Sequence, residues 1–299
     1  MASISLLFVC LILGVFLQRL KNFPQNAHLT LNLIILNIAL PAVCLLTLPH
    51  LKWNLGLITV ALVGWIIFCL SFFFFRALGK KYNWDSKLVG CLILTAGLGN
   101  TSFVGFPVIE ALYGKEGLQT AVLLDQAGSF LIASTLGVWL AAFYSAGAMR
   151  KRDLALRVIT FGPFVAFTVS IILGLFAWEA VGNLKYILER LGGLLTPLAL
   201  ISVGLQLKWG DIKHERKFLA LGLGFKLILA PIVIFAIYSF LHLPQSIFRV
   251  VVMESAMAPM ITASILASSH GLHPRLAGMM IGVGVPISFI TLTCWYFLI

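Results

Sequence analysis

The most constraining feature of this chain is a series of ten apolar stretches separated by short polar joints. A helix needs about 20 apolar residues to cross the hydrocarbon core of a bilayer. Hydrophobic residues make up 61% of the 299 residues and charged residues only 10%, against roughly 25% charged in soluble domains. We therefore predict an all-α integral membrane protein with ten transmembrane helices in a lipid bilayer.

The ten predicted spans leave little chain outside the membrane. We number them 1 to 10, with boundaries near 3–18, 28–48, 55–76, 88–112, 117–144, 156–178, 185–206, 216–241, 247–269 and 275–298. The short joints hold no catalytic set, no metal-ligand cluster and no ATP-binding motif. We predict a pore or a transporter, neither an enzyme nor a protein with a cofactor.

Basic residues are distributed unevenly among the joints. The 21 Lys and Arg outnumber the 10 Asp and Glu, for a net charge of +11, and most of them fall in the odd-numbered joints. By the positive-inside rule these joints face the cytoplasm and both termini lie outside. We predict a multi-pass protein of a cytoplasmic (inner) membrane with periplasmic termini. Because the charge marks topology, no nucleic-acid partner is expected.

Two pairs of residues indicate an internal repeat. Pro41 and Pro197 occupy similar places in spans 2 and 7, and Gly114 and Gly271 end spans 4 and 9. Both pairs fit nearly the same sequence offset. Because each half has five helices, the second half enters the membrane from the opposite face, as in many secondary transporters. The predicted inverted repeats are 1–145 and 156–299.

Spans 4 and 9 are the least regular as helices. Span 4 contains "TAGLGNTSFVGFP" and span 9 contains "MESAMAPMITAS". Gly and Pro weaken helix interiors, and non-helical backbone at membrane depth is tolerated only where it is buried in protein or lines a cavity. Plain proline kinks or close helix packing are the alternatives. We predict that both helices break near the membrane centre.

Two such breaks favour an anionic substrate. Each half-helix N-terminus offers free N–H groups and a partial positive charge to a carboxylate. We predict a small organic anion with one acidic end and an apolar part. The predicted substrate-binding residues are Gly99, Asn100, Thr101, Ser102, Pro107, Met257, Ala258 and Pro259.

The same stretches resemble a known family. "GNTSFVGFPVIEALYG", "LLDQAGSFLIASTLGVWLA" and "ESAMAPMITASILASSHGLHPRLAGMMIGVGVPISFITLTCWYF" are similar to the auxin efflux carrier family, which includes malonate transporters and lies in a superfamily with bile acid symporters. The resemblance implies scaffold spans 1, 2, 6 and 7, transport spans 3–5 and 8–10, and crossing of spans 4 and 9 at their breaks. It also implies a homodimer and an elevator-type mechanism.

The sequence departs from these relatives at the crossover. Plant auxin carriers have an Asn-Pro pair at each break, whereas this chain has Asn100-Thr101 and Ala258-Pro259. Glu254 occupies the place of a sodium-ligating Glu in the bile acid symporters, but the Gln-Asn that follows there is Ala258-Pro259 here. A sodium-coupled organic anion symporter and an anion channel remain alternatives to a proton-coupled or uniporting carrier.

Three ionisable residues fall well inside spans. Asp125 lies in span 5, Lys226 in span 8 and Glu254 in span 9. Such residues cost about 2.5–3.5 kcal/mol at the bilayer centre on insertion scales and usually face a cavity or a partner. We predict that Asp125 or Glu254 carries a proton and that Lys226 is a counter-charge or a substrate partner. The alternative is a fixed ion pair. Glu110, near the outer end of span 4, is predicted to be a solvated interface charge.

Overall fold

The computed structural model describes residues 2–21, 23–24, 26–50, 55–145, 162–207, 215–241 and 243–299. Within these residues the regular structure is helical, apart from one antiparallel bridge between Gly99 and Pro259. The predicted start of the second repeat at residue 156 lies outside the described residues. Much of the basic joint after span 7 does so as well.

The helices are numbered in chain order. A helical run over Thr101–Tyr144 is divided at Gly114, so its parts receive two numbers. The helices are α1 Ala2–Leu17, α2 Ala27–Thr47, α3 Leu55–Tyr82, α4 Ser86–Gly97, α5 101–113, α6 115–144, α7 Gly162–Leu175, α8 Gly182–Gly192, α9 Leu195–Gln206, α10 Arg216–Ser239, α11 Gln245–Ser255, α12 Ile261–Ser269 and α13 Pro274–Leu298.

Six described helical runs are long and apolar enough to cross a bilayer. One of them, Thr101–Tyr144, has 44 residues, roughly 66 Å at 1.5 Å per residue, about twice the hydrocarbon core. Span 4 is split between α4 and α5, and span 9 between α11 and α12. The described structure is an all-helical membrane protein, and the count of ten spans stays a prediction.

Two glycines end helices in the same way. Gly114 and Gly271 both have φ of 66°, in the left-handed region that side chains disfavour. A Cβ built at either position meets nothing within 4 Å. The backbone turn, not crowding, therefore requires glycine, at the two positions that the repeat offset pairs.

Helix α3 runs past its predicted end at residue 76 and stops at Tyr82. Its last turn carries Lys80 and Lys81, whose charges stabilise the partial negative charge at a helix C-terminus. A prediction from hydropathy ends the span at the first charged residues, whereas the helix itself continues through them to Tyr82.

The helices pack as two groups. Helices α1 and α2 pack on α9, and α2 also packs on α7 and α8. One hydrophobic cluster draws mainly on α3, α4, α6, α10, α12 and α13, and a second mainly on α1, α2, α5, α9 and α11. The halves of the interrupted spans exchange partners, because α4 packs on α12 while α5 packs on α11.

Helices α1 and α9 approach closely through two glycines. A Cβ built on Gly204 would lie 2.8 Å from Gly14 Cα and would also collide with the Leu11 carbonyl oxygen. Small residues allow such close backbone contact between membrane helices. The α1–α9 pair therefore depends on Gly14 and Gly204.

We expect Gly204→Ala to destabilise the protein by about 1–3 kcal/mol, because the added methyl overpacks a backbone contact. The matched control is Gly278→Ala in α13, where a Cβ meets nothing within 4 Å. Thermal unfolding in detergent, followed by tryptophan fluorescence, measures both. Equal melting temperatures for the two variants would contradict the close contact.

Candidate functional site

The two interrupted helices meet at their unwound segments. The Asn100 N–H donates to the Ala258 carbonyl oxygen at 2.7 Å, and the Met260 N–H donates to the Leu98 carbonyl oxygen at 2.9 Å. Gly99 and Pro259 form the antiparallel bridge between these bonds. Each unwound segment thus supplies hydrogen-bond partners that the other lost by leaving the helix. We call this pairing the crossover.

Local sequence explains where each helix restarts. Asn100 Oδ1 accepts a hydrogen bond from the Phe103 N–H at 3.1 Å, a side-chain cap that Asn favours. Pro259 has no N–H to continue a helix, and α12 begins at Ile261. Pro107, which we predicted at the site, is buried one turn inside α5 beyond the break.

Asp125 ties the start of α5 to α6. Its Oδ1 accepts hydrogen bonds from Thr101 Oγ1 at 2.5 Å and Ser102 Oγ at 2.6 Å. Its Oδ2 accepts one from Gln126 Nε2 at 2.7 Å, and the side chain is fully buried. Three donated hydrogen bonds suit an ionised carboxylate, which only accepts.

Lys226 reaches the crossover from α10. It is fully buried, and its Nζ donates to the Ser255 carbonyl oxygen at 2.6 Å, at the end of α11. A Cβ built on Gly99 would lie 3.1 Å from Nζ. Among the described residues, no ion pair within 4.0 Å joins Lys226 to Asp125 or Glu254. The fixed ion pair left open by the sequence is not formed at that distance.

Glu254 differs from Asp125 in its surroundings. It lies at the end of α11 and is 1% exposed. A Cβ built on Gly105 would lie 2.5 Å and 2.7 Å from its two carboxyl oxygens. Neither oxygen has a hydrogen-bond partner among the described residues, and the same is true of Asn100 Nδ2 and Gln126 Oε1. Because buried polar atoms are normally paired, these four atoms mark the crossover as a place for a proton or a polar ligand.

A cavity of about 380 Å³ lies beside the crossover. Ser102 and Phe103 contribute to it from the first turn of α5, and Met260 and Thr262 from the start of α12. Both half-helix N-termini therefore border one cavity, which they make favourable for negative charge. The full lining is Leu36, Ser102, Phe103, Phe130, Ala133, Ser134, Val138, Met260, Thr262 and Leu266.

The predicted substrate-binding residues do not all lie in one place in the structure. Ser102 lines the cavity, Thr101 is held by Asp125, and Gly99, Asn100, Ala258 and Pro259 form the crossover. Met257 is buried beside them without lining the cavity.

Sequence reasoning missed the α6 wall of the cavity. Ala133 and Ser134 belong to it, and the small residues at both ends of "GSFLIAS" were the available signal. Leu36 on α2 had no sequence signal, because only the packing of α2 against this region places it there.

Glu110 has a hydrogen-bond partner on another helix. Its Oε2 accepts a hydrogen bond from Thr196 Oγ1 at 2.8 Å, which joins α5 to α9. The side chain is half-buried and borders a separate cavity of about 430 Å³ that Lys115, Lys185 and Glu189 also line. The predicted interface charge is thus also an inter-helix contact.

An all-helical membrane protein with two paired helix interruptions beside a cavity has the features of a membrane transporter. The family described as "Membrane transport protein" matches residues 1–153 and 148–296. The chain belongs to this family, the auxin efflux carrier family, which confirms the resemblance seen in the sequence.

Several proteins named as transporters match this chain over nearly their whole length. An uncharacterized transporter of Methanothermobacter thermautotrophicus is 27% identical, over 96% of this chain and 94% of that protein. One from Methanocaldococcus jannaschii is 25% identical, over 98% and 97%. The uncharacterized transporter YfdV of Escherichia coli K12 is 24% identical, over 97% and 95%.

The difference in hydrogen bonding between the Asp125 and Glu254 carboxyl groups can be tested by measuring the stability of two variants. Asp125→Asn places an amide among three donors, and we expect a loss of about 1–3 kcal/mol. Glu254→Gln, the same chemical change at a group without a hydrogen-bond partner in the described structure, should cost clearly less. Thermal unfolding of both purified variants measures the difference. A Glu254→Gln loss equal to or larger than that of Asp125→Asn would contradict the assigned environments.

Proposed function

We propose that this protein is a secondary carrier of small carboxylates, which bind in the cavity beside the crossover. The observation that carries the proposal is the position of two half-helix N-termini, α5 and α12, on one cavity of about 380 Å³. Their N–H groups and the hydroxyl of Thr262 suit a carboxylate, whereas the Ser102 hydroxyl already donates to Asp125. This volume is within the usual range for small-molecule sites.

The cavity lining favours a monocarboxylate with an apolar body. Seven of its ten lining residues are apolar, and the other three carry hydroxyl groups. The apolar wall includes Phe130, Val138 and Leu266. A second carboxylate facing that wall would lose its hydration without a donor in return. An auxin-like acid therefore fits this cavity better than a malonate-like dianion.

The proposed carrier has ten spans in two inverted repeats, with both termini outside the cytoplasmic membrane. The matching turns at Gly114 and Gly271 support the repeat. The packing of α1 and α2 on α9 supports a scaffold, against which the transport spans move as an elevator, within a homodimer. Contacts of α5 with α9, including Glu110 with Thr196, join the proposed transport group to this scaffold.

Glu254 is the proposed proton carrier, and Asp125 is a positioning residue. Asp125 is already fixed by Thr101, Ser102 and Gln126, whereas both Glu254 oxygens lack a hydrogen-bond partner among the described residues. With Asp125 and Lys226 charged and Glu254 protonated, the buried set is neutral. Loss of the Glu254 proton leaves one uncompensated negative charge, which is costly inside the membrane.

Filling the cavity should abolish transport. We expect Ser134→Phe to lower saturable uptake of labelled benzoate and indole-3-acetate into proteoliposomes at least tenfold, because the ring occupies the substrate volume. The matched control is Ser239→Phe. Ser239 is exposed, and its hydroxyl donates to the carbonyl four residues before it, as that of Ser134 does.

Wild-type uptake by Ser134→Phe, in protein that melts like the control, would exclude the cavity as the substrate site. Labelled malonate tests the preference for monocarboxylates in the same assay. Saturation and counterflow distinguish a carrier from an anion channel, which would show neither.

Glu254→Gln should separate transport from its driving force. Because the amide cannot carry a proton, we expect accumulation driven by an inward proton gradient to be lost while substrate counterflow persists. Glu110→Gln, which keeps an acceptor for Thr196, is the control and should still accumulate substrate. Gradient-driven accumulation by Glu254→Gln would show that another group carries the proton.

A further inference from the structure

Lys226 brings its ammonium group to the place where two half-helices end. Helix α4 ends at Gly97 and α11 at Ser255, and helix C-termini carry partial negative charge. Lys226 Nζ donates to the Ser255 carbonyl oxygen at 2.6 Å and lies beside Gly99. In transporters with broken helices, such C-terminal ends and unwound carbonyls can coordinate a sodium ion or a proton.

The groups around this ammonium are oxygen ligands. The Ser255 carbonyl oxygen accepts its hydrogen bond, and the Glu254 carbonyl oxygen lies 3.7 Å from a Cβ built on Gly99. The Glu254 carboxyl group, buried beside Gly105, has no hydrogen-bond partner for either oxygen in the part of the chain that the structure describes. Carbonyl and carboxylate oxygens are the ligands that hard cations take.

We propose that the Lys226 ammonium is a built-in counter-cation that occupies an alkali-cation site at the crossover. The wild-type protein therefore neither binds nor needs sodium, and shortening Lys226 opens a sodium site formed by Glu254 and the adjoining carbonyl oxygens. This inference rests on the proposed function for its role in transport. Its test measures cation binding alone.

The net charge of Asp125, Lys226 and Glu254 favours the replacement of the lysine ammonium by a sodium ion. Removal of the lysine leaves Asp125 and Glu254 without their buried cation, while Asp125 keeps its three donors. The buried set then carries an uncompensated negative charge, and a monovalent cation restores the balance that Lys226 supplied. The freed volume of the lysine side chain gives the ion its space.

The experiment compares thermal unfolding of wild type and Lys226→Ala in detergent as NaCl replaces choline chloride at constant ionic strength. We expect the melting temperature of Lys226→Ala to rise by several degrees with sodium in the millimolar range, as binding to the folded state requires. Wild type and the control Lys185→Ala, in the separate cavity that Glu110 borders, should not respond. Lys226→Ala combined with Glu254→Gln should lose the response.

Each outcome decides the inference. A sodium response of wild type equal to that of Lys226→Ala, or none in folded Lys226→Ala, would overturn it. If Lys226→Ala does not fold in choline chloride, sodium should restore the folded yield, and failure to do so also counts against the site. Sodium binding by Lys226→Ala without carboxylate uptake by wild type would refute the proposed function and leave the cation site standing.

Discussion

The pairing of two unwound segments in the middle of the protein is the interaction on which the other features depend. Backbone that leaves a helix at membrane depth must find other partners, and the bonds from Asn100 to Ala258 and from Met260 to Leu98 provide them. Once this pairing holds, α5 and α12 start beside the same cavity, while α4 and α11 end beside Lys226. The helix starts that face the cavity and the helix ends that face Lys226 are thus separated by a single short bridge.

The three buried ionisable groups illustrate how one crossover gives each a different role. Asp125 is surrounded by donors, Lys226 by carbonyl oxygen, and Glu254 by neither. A fully satisfied group stabilises one geometry, whereas an unsatisfied one is sensitive to a proton, an ion or a movement of its surroundings. Glu254 is therefore the group of the site whose charge state responds most to a change in its surroundings. It lies beside Gly105, in the first turns of α5.

Sequence reasoning succeeds where local chemistry decides and fails where tertiary placement decides. Glycine and proline predicted both interruptions, because their backbone limits act locally. The position of Pro107 inside α5 was not predictable in this way, since a proline tolerated near a helix start looks the same in sequence as one that ends a helix. Hydropathy marked Asp125 and Glu254 as unusual, but only the packing shows which of them has partners.

The segments that carry the polar residues of the site have the same kind of helical turn. Thr101–Gly105, Asp125–Phe130 and Phe225–Leu229 are all π-helical, and such turns equal an extra residue inserted into an α-helix. A return to α winding would rotate the following side chains by about 100° about the helix axis. The winding of these three segments therefore sets the direction in which the side chains that follow them point.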